Sequence, residues 1–442
     1  MLRDAEEYLY SLRNQGAKLG LERMEALLLA LESPQKNYPS ILVAGTSGKG
    51  STAAMLSSIL SSAGYKSGRF TSPHLSRLTE RITIDGVEIP DDEFVSILDS
   101  IRESISGMKN DPGFSHPTFF EIITALAMLY FSREKVDIAV FEVGLGGKLD
   151  STNTMDHIIS IITNVSLEHT RILGDTVGKI AGEKAGIIRS NVPTITAADD
   201  PAAICVIQDV CRKKASPLFV LGSDFSVNGT ADDFDFSAGD CQISNLRLSL
   251  NGDFQLKNAV CAISAITCLA DAGFDIPDDA IRNGLLNLRW PGRLEIMQRN
   301  PLVIIDGAKD QKSAEIVAPE IQKMTEGKRK VLVLAISSDK NIQSMASSLV
   351  PGFDVVIASE HRIDDRSARA EDIASYAKEH CDSCIILPGL EDAMKMAIGL
   401  AGSDGAVVLA GSVFAAGQAR EIWVGSGAAG FGSGLNEPSK GL

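Results

Sequence analysis

The segment Ile41-Leu42-Val43-Ala44-Gly45-Thr46-Ser47-Gly48-Lys49-Gly50-Ser51-Thr52 constrains this chain more than any other. An apolar, strand-prone run enters a glycine-rich turn, and the turn opens into the helix-prone Ala53-Ala54-Met55-Leu56. Strands that alternate with helices in this way build parallel α/β sheets. The same order builds an anion cradle. Glycines let successive backbone N–H groups face one anion, the helix N-terminus adds its positive end, and Lys49 adds a full charge. The guest this implies is a phosphate. The spacing is not that of a strict Walker A loop. Reading back from Gly48-Lys49, the first glycine of that motif falls on Val43, and Gly50 separates the lysine from Ser51.

The same alternation runs along the chain. Patterning predicts strands over 41–44, 136–143 and 158–163, and helices over 9–31, 119–131 and 201–215. Asp200 is the N-cap of the last, with Pro201 at its first helical position. Near Asn287-Leu288-Arg289-Trp290-Pro291-Gly292-Arg293 the pattern restarts. Strands follow over 302–306, 331–335, 355–358 and 406–410, with a helix from about 313. The fold class expected is α/β: a P-loop-type, mostly parallel sheet domain over 1–296, then a smaller Rossmann-like domain over 297–424. The Gly/Ser-rich tail over 425–442 is expected to be disordered.

A net charge of −15 argues against nonspecific contact with nucleic acid or anionic membrane. No apolar run approaches membrane-spanning length, and the N-terminus lacks a signal-peptide core. Seven scattered cysteines, with one lone CxxC at Cys381–Cys384, do not form a disulfide framework. A cytoplasmic enzyme is the expectation.

Ligands of open α/β sheets sit beyond the carboxyl ends of the strands, so motifs at those ends belong to one rim. Glu142 ends an apolar run and precedes the glycine turn Gly144-Leu145-Gly146-Gly147. A buried carboxylate needs a cation or a cluster of donors; Mg²⁺ is the natural partner, and a structural salt bridge is the plain reading. Ser72, in Thr71-Ser72-Pro73-His74, offers a hydroxyl that could complete a magnesium shell. His169 follows the strand over 158–163 as a metal ligand or site residue, and Lys184 sits in a small-residue helical stretch. An ion pair with Glu183 or another carboxylate is the plain reading of that lysine. No nucleophile elbow and no GxGxxG fingerprint is present. Metal-assisted phosphoryl transfer is the favoured reaction class.

As a set, these motifs resemble the folylpolyglutamate synthase/dihydrofolate synthase family of the Mur ligase superfamily. The resemblance runs from Gly20 to Phe414 and includes Glu80-Arg81-Ile82, Thr118-Phe119-Phe120-Glu121, Trp290-Pro291-Gly292-Arg293 and Asp306-Gly307-Ala308. It implies an ATP- and Mg²⁺-dependent ligase. ATP phosphorylates a folate-type carboxylate, and the amine of L-glutamate displaces phosphate from the acyl phosphate. By motif position it implies Gly45, Thr46, Ser47, Gly48, Lys49, Gly50 and Ser51 at the ATP phosphates, and Gln255, Asn258, Arg293 and Asp306 at the nucleotide. Ser72, Glu142, His169 and Lys184 are implied at metal, with Lys49, His169 and Lys184 catalytic and Lys184 carbamylated. Phe120, Leu149, Asp150 and Ser151 are implied in the pterin pocket. A monomer acting on small molecules is expected.

The chain also departs from the family pattern. Ser47 stands where the family usually has Asn, and Glu168 where it has Asp. Asp-Gly-Ala-Lys309-Asp310 replaces Asp-Gly-Ala-His-Asn, and Lys18 stands where dihydrofolate synthases often carry Asp. These changes leave room for a different carboxylate, such as a modified pterin, and for a nucleotide-binding regulator without ligase activity.

Overall fold

The computed structural model describes residues 2–12, 20–109, 114–362 and 366–425. Lys18 and the Gly/Ser-rich stretch from 426 onward lie outside the described residues. The described strands form three sheets. The first contains β1 (Ser40–Ala44), β2 (Ser67–Phe70), β3 (Ile82–Ile84), β4 (Val87–Glu88), β5 (Ile138–Glu142), β6 (Ile159–Ile162), β7 (Thr194–Thr196) and β8 (Leu218–Val220). Its order is β4-β3-β2-β5-β1-β6-β7-β8. Pairing is parallel from β2 to β8, and only β3 and β4 run antiparallel at one edge.

β1 is central and wholly buried, which its unbroken Ile-Leu-Val run anticipates for a strand covered on both faces. Its register sets Val43 opposite Glu142 on β5 and Ala44 opposite Ile162 on β6. Phe70 on β2 pairs with Phe141. The ends of β1, β2, β5 and β6 therefore lie on one edge, and each runs into a segment that the sequence marks as chemical.

The expected helix over 9–31 is instead two helices, Leu2–Ser11 and Glu22–Ala30. Gly20, at φ +135°, stands before the second. Helix Phe119–Arg133 starts on a capping box between Thr118 and Glu121. Helix Pro201–Lys214 is capped by Asp200, which accepts from the Ala202 and Ala203 N–H groups.

A small antiparallel sheet follows, formed by β9 (Ser226–Thr230), β10 (Asp233–Ala238) and β11 (Cys241–Leu246). The third sheet holds β12 (Glu295–Arg299), β13 (Leu302–Ile305), β14 (Lys330–Leu334), β15 (Val355–Glu360), β16 (Cys384–Gly389) and β17 (Ala406–Ala410). Its order is β12-β13-β17-β14-β15-β16, parallel except at β12. Alternation along β14 sends Val331 and Val333 into one apolar cluster and Leu332 and Leu334 into another.

The chain divides into two compact units. The first holds residues 1–74, 78–249 and 255–289, and the second holds 75–77, 250–254 and the chain from Trp290. Position 296 falls within β12. Helix Val413–Gly425 carries the last described residues. Among the described residues, no helix is long and apolar enough to cross a membrane.

Candidate active site

The Gly45–Ser51 loop leaves β1 with Gly45 at φ +149° and Gly48 at φ +82°. A Cβ on Gly45 would lie 1.9 Å from Thr163 Oγ1, and one on Gly48 would lie 2.1 Å from Asn258 Oδ1. Both positions thus need glycine for conformation and for space. Helix Lys49–Ser62 starts directly after Gly48, and no side chain caps it. An uncapped helix start presents its first N–H groups to an anion. Lys49 Nζ donates to the Gly45 and Thr46 carbonyls at 3.0 and 3.2 Å, so the charge lies over the loop itself. The cradle is narrower than the sequence implies. Thr46 and Ser47 N–H groups donate to Asn164 Oδ1 at 3.1 and 2.9 Å, and so do not face an anion.

Gln255 and Asn258 lie on the first turn of helix Gln255–Leu269, both buried, with Asn258 Nδ2 donating to Gln255 Oε1 at 2.8 Å. Asn258 sits against Gly48, so this pair meets the loop.

Glu142 ends β5 and is 5% exposed. The Ser72 N–H donates to its Oε2 at 2.9 Å. Arg69 is also buried: burial lowers its pKa to about 10, and the Glu142 charge acts in the opposite direction. Glu142 thus has one cation in its field.

His169 is exposed, has φ +44°, and precedes the short helix Thr170–Leu173. Lys184 ends helix Val177–Lys184 and is only 1% exposed. Its Nζ lies 2.6 Å from Glu168 Oε1, so the carboxylate partner is Glu168 rather than Glu183. Burial brings the Lys184 pKa down to about 8, Glu168 opposes that shift, and the Lys49 charge adds to it. Two lysines therefore converge on one region. Among the described residues, no three or more His, Cys, Asp or Glu side chains group to hold a metal. The structure links Ser72 to Glu142 and Lys184 to Glu168.

Phe120 packs across Gly144, where a Cβ would lie 2.4 Å from its ring, and against Phe70 at 5.9 Å between centroids. Ser151 Oγ meets Thr124 Oγ1 at 3.1 Å, and Leu149 is 37% exposed. Asp150 is engaged within its own loop. It accepts from the Leu145 N–H at 2.8 Å, the Thr152 N–H at 3.1 Å and the Thr152 hydroxyl at 2.6 Å. Burial raises its pKa, and these donors oppose the rise.

In the second unit, buried Asp306 accepts from the Leu294 and Ala308 N–H groups at 2.9 and 2.7 Å. Burial raises its pKa, and Arg293 opposes that rise. The departure at Asp-Gly-Ala-Lys309-Asp310 has a structural reading. Asp310 caps helix Gln311–Met324 through a capping box with Ser313, while Lys309 is exposed. Asp serves this cap as well as Asn would.

Sequence reasoning passed over Asn164 and Thr163 in favour of His169. The signal was present, since both directly follow a buried strand at the loop's edge.

This arrangement of loop, strand-end carboxylate and second α/β unit defines a Mur-type ligase. The Mur ligase middle domain matches residues 43–266, and the Mur ligase glutamate ligase domain matches 292–413. The chain is 36% identical over 353 residues to the dihydrofolate synthase/folylpolyglutamate synthase of Bacillus subtilis, covering 78% of this chain and 82% of that one. It is 34% identical over 435 residues to a probable bifunctional folylpolyglutamate synthase/dihydropteroate synthase of Halobacterium salinarum, and spans 51% of its length. The folylpolyglutamate synthase of Mycobacterium tuberculosis complexed with ADP superposes with a TM-score of 0.87 at 30% identity, covering 96% of this chain and 98% of that one. The chain belongs to the folylpolyglutamate synthase/dihydrofolate synthase family and is an ATP-dependent acid–amino-acid ligase.

Proposed function

We propose that this ligase joins L-glutamate to a folate-type carboxylate through an acyl phosphate. The observation that carries the reading is the shared edge of β1, β5 and β6, which sets the phosphate loop beside a buried carboxylate. A carboxylate oxygen of the acceptor attacks the γ-phosphorus of ATP, and ADP leaves. The glutamate amine then attacks the acyl carbon, sheds a proton, and phosphate leaves with its bridging oxygen. Lys49 and the first N–H groups of helix Lys49–Ser62 meet the negative charge that develops on the transferring group.

The residues fit a Mg²⁺ ion. Ser72 and Glu142 offer hard oxygen donors, the Ser72 backbone N–H holds the Glu142 carboxylate beside that residue, and Mg²⁺ keeps several waters, so few protein ligands suffice. Ser72, Glu142 and His169 would hold it, and when bound it supplies charge neutralisation at the phosphate oxygens. Lys184, buried and with its pKa lowered to about 8, suits carbamylation by CO₂. Gln255, Asn258, Arg293 and Asp306 are read as nucleotide residues, and Phe120, Leu149, Asp150 and Ser151 as the acceptor pocket. Asp150 would shape that pocket's loop rather than touch the acceptor. We read the protein as a cytoplasmic monomer acting on small molecules; its seven free cysteines suit a reducing compartment, and its net charge of −15 disfavours nucleic acid or anionic membrane as partners.

Phosphate release assayed with tetrahydrofolate and glutamate tests the reading, and should require both. ATP turnover indifferent to pterin and amino acid would sink it. The same assay in CO₂-depleted buffer should slow if Lys184 is carbamylated.

A further inference from the structure

The turn after β6 grips the phosphate loop at two consecutive residues. Beyond accepting from the Thr46 and Ser47 N–H groups, Asn164 donates through Nδ2 to Ser47 Oγ at 2.8 Å. Thr163 Oγ1 donates to the Ser47 carbonyl at 2.7 Å. Thr46 Oγ1 accepts from the Ser166 N–H at 3.1 Å and lies 3.2 Å from the Ser166 carbonyl. Every polar group of Ser47 is thus held by Thr163 or Asn164.

These bonds matter because the loop carries glycines at 45, 48 and 50. Glycine has the most backbone freedom to lose, and ordering a loop on binding weakens affinity. A loop fixed beforehand does not carry that cost. Because Asn164 also turns two N–H groups away, the anion-facing donors are those from Gly48 onward.

We propose that Asn164 is a positioning residue for the nucleotide phosphates, with the Ser47 hydroxyl as its reciprocal anchor. It pre-orders the loop and confines phosphate contact to the Gly48–Ser51 end. The inference rests on the nucleotide-site reading above. Ser47 suits the role because a short hydroxyl fits between the loop and the Asn164 amide.

The test is ADP titration by calorimetry, with amide hydrogen exchange across residues 45–49, on the full chain. Asn164→Ala should weaken ADP binding about tenfold or more and speed exchange at Thr46 and Ser47, leaving acceptor KM unchanged. Ser47→Ala, which keeps the Asn164 acceptor, should weaken ADP binding by a few fold, and it decides the matter if Asn164→Ala does not fold. Unchanged ADP affinity in a folded variant overturns the proposal, because a purely structural Asn164 would alter stability alone. Tighter binding also overturns it, since Asn164 would then compete with phosphate. If the wild-type protein binds no ADP, the nucleotide-site reading fails and this inference fails with it. Wild-type binding with unaffected variants removes this inference alone.

Discussion

At Lys184 the nearest carboxylate in sequence is not the nearest in space. Glu183 is adjacent on the same helix, and neighbouring helical residues point to different faces. Glu168, sixteen positions earlier, reaches Nζ instead. The placement of Lys49 and Glu142 was legible because it follows from local pattern: a lysine after a glycine turn, and a carboxylate at the end of an apolar strand. Asn164 directly follows a buried strand, which marked its place, but its role did not follow from local pattern, because its partners are more than a hundred residues away in sequence. Lys49→Ala should cut turnover by ~10²-fold or more, the scale of a lost transition-state donor. A near-wild-type rate in steady-state kinetics would remove Lys49 from the phosphate site. His157 makes a separate prediction. It is buried on the approach to β6, where burial foremost, with the Arg189 charge, lowers its pKa from 6.5 to about 4. The unfolded chain therefore binds a proton at His157 that the folded chain refuses between pH 6.5 and 4. Its contribution to stability is present above that window and is lost as pH falls through it, by up to about 3 kcal/mol. Urea unfolding of wild type and His157→Gln at pH 7.5 and pH 5 should show a smaller acid loss in the variant. Equal losses would contradict the shift.

Among the elements, those with strong local chemistry matched expectation. Asp200-Pro201 starts a helix, and the buried strands at β1, β5, β6 and β17 lie where apolar runs place them. The sheet of β9, β10 and β11 escaped notice although Asp233-Phe234-Asp235-Phe236 in β10 alternates as a half-buried strand does; β9, Ser-Val-Asn-Gly-Thr, is largely exposed and gives no such alternation. The two-helix start was missed because apolar spacing continues past Gly20, whose positive φ marks the interruption. Element contacts also explain how the loop over 144–150 is held. The Lys148 N–H donates to the Glu183 carbonyl at 2.8 Å, and Asn153 Nδ2 donates to the Lys148 and Gly186 carbonyls at 3.1 and 3.2 Å. A Cβ on Gly186 would lie 2.3 Å from Lys148 Cβ and 2.5 Å from its Cα. Gly186→Ala should therefore push this loop off the Lys184 turn, destabilise the protein by about 1–3 kcal/mol and lower activity. Denaturant unfolding at wild-type midpoint would show that the contact yields freely.

On the scale of the whole molecule, each compact unit has its own sheet and core, which is what the restart of the α/β pattern after 287–293 implied. The discontinuous membership of 75–77 and 250–254 was beyond sequence reading, because short segments carry no periodicity to assign them. The central claim is that the family chemistry runs here through phosphorylation of the acceptor carboxylate. Ligation of a folate-type acceptor bearing ¹⁸O in its reacting carboxylate tests it directly, with mass analysis of the released phosphate. One ¹⁸O per turnover in inorganic phosphate is the predicted result. Phosphate free of the label, or released without acceptor, would contradict it.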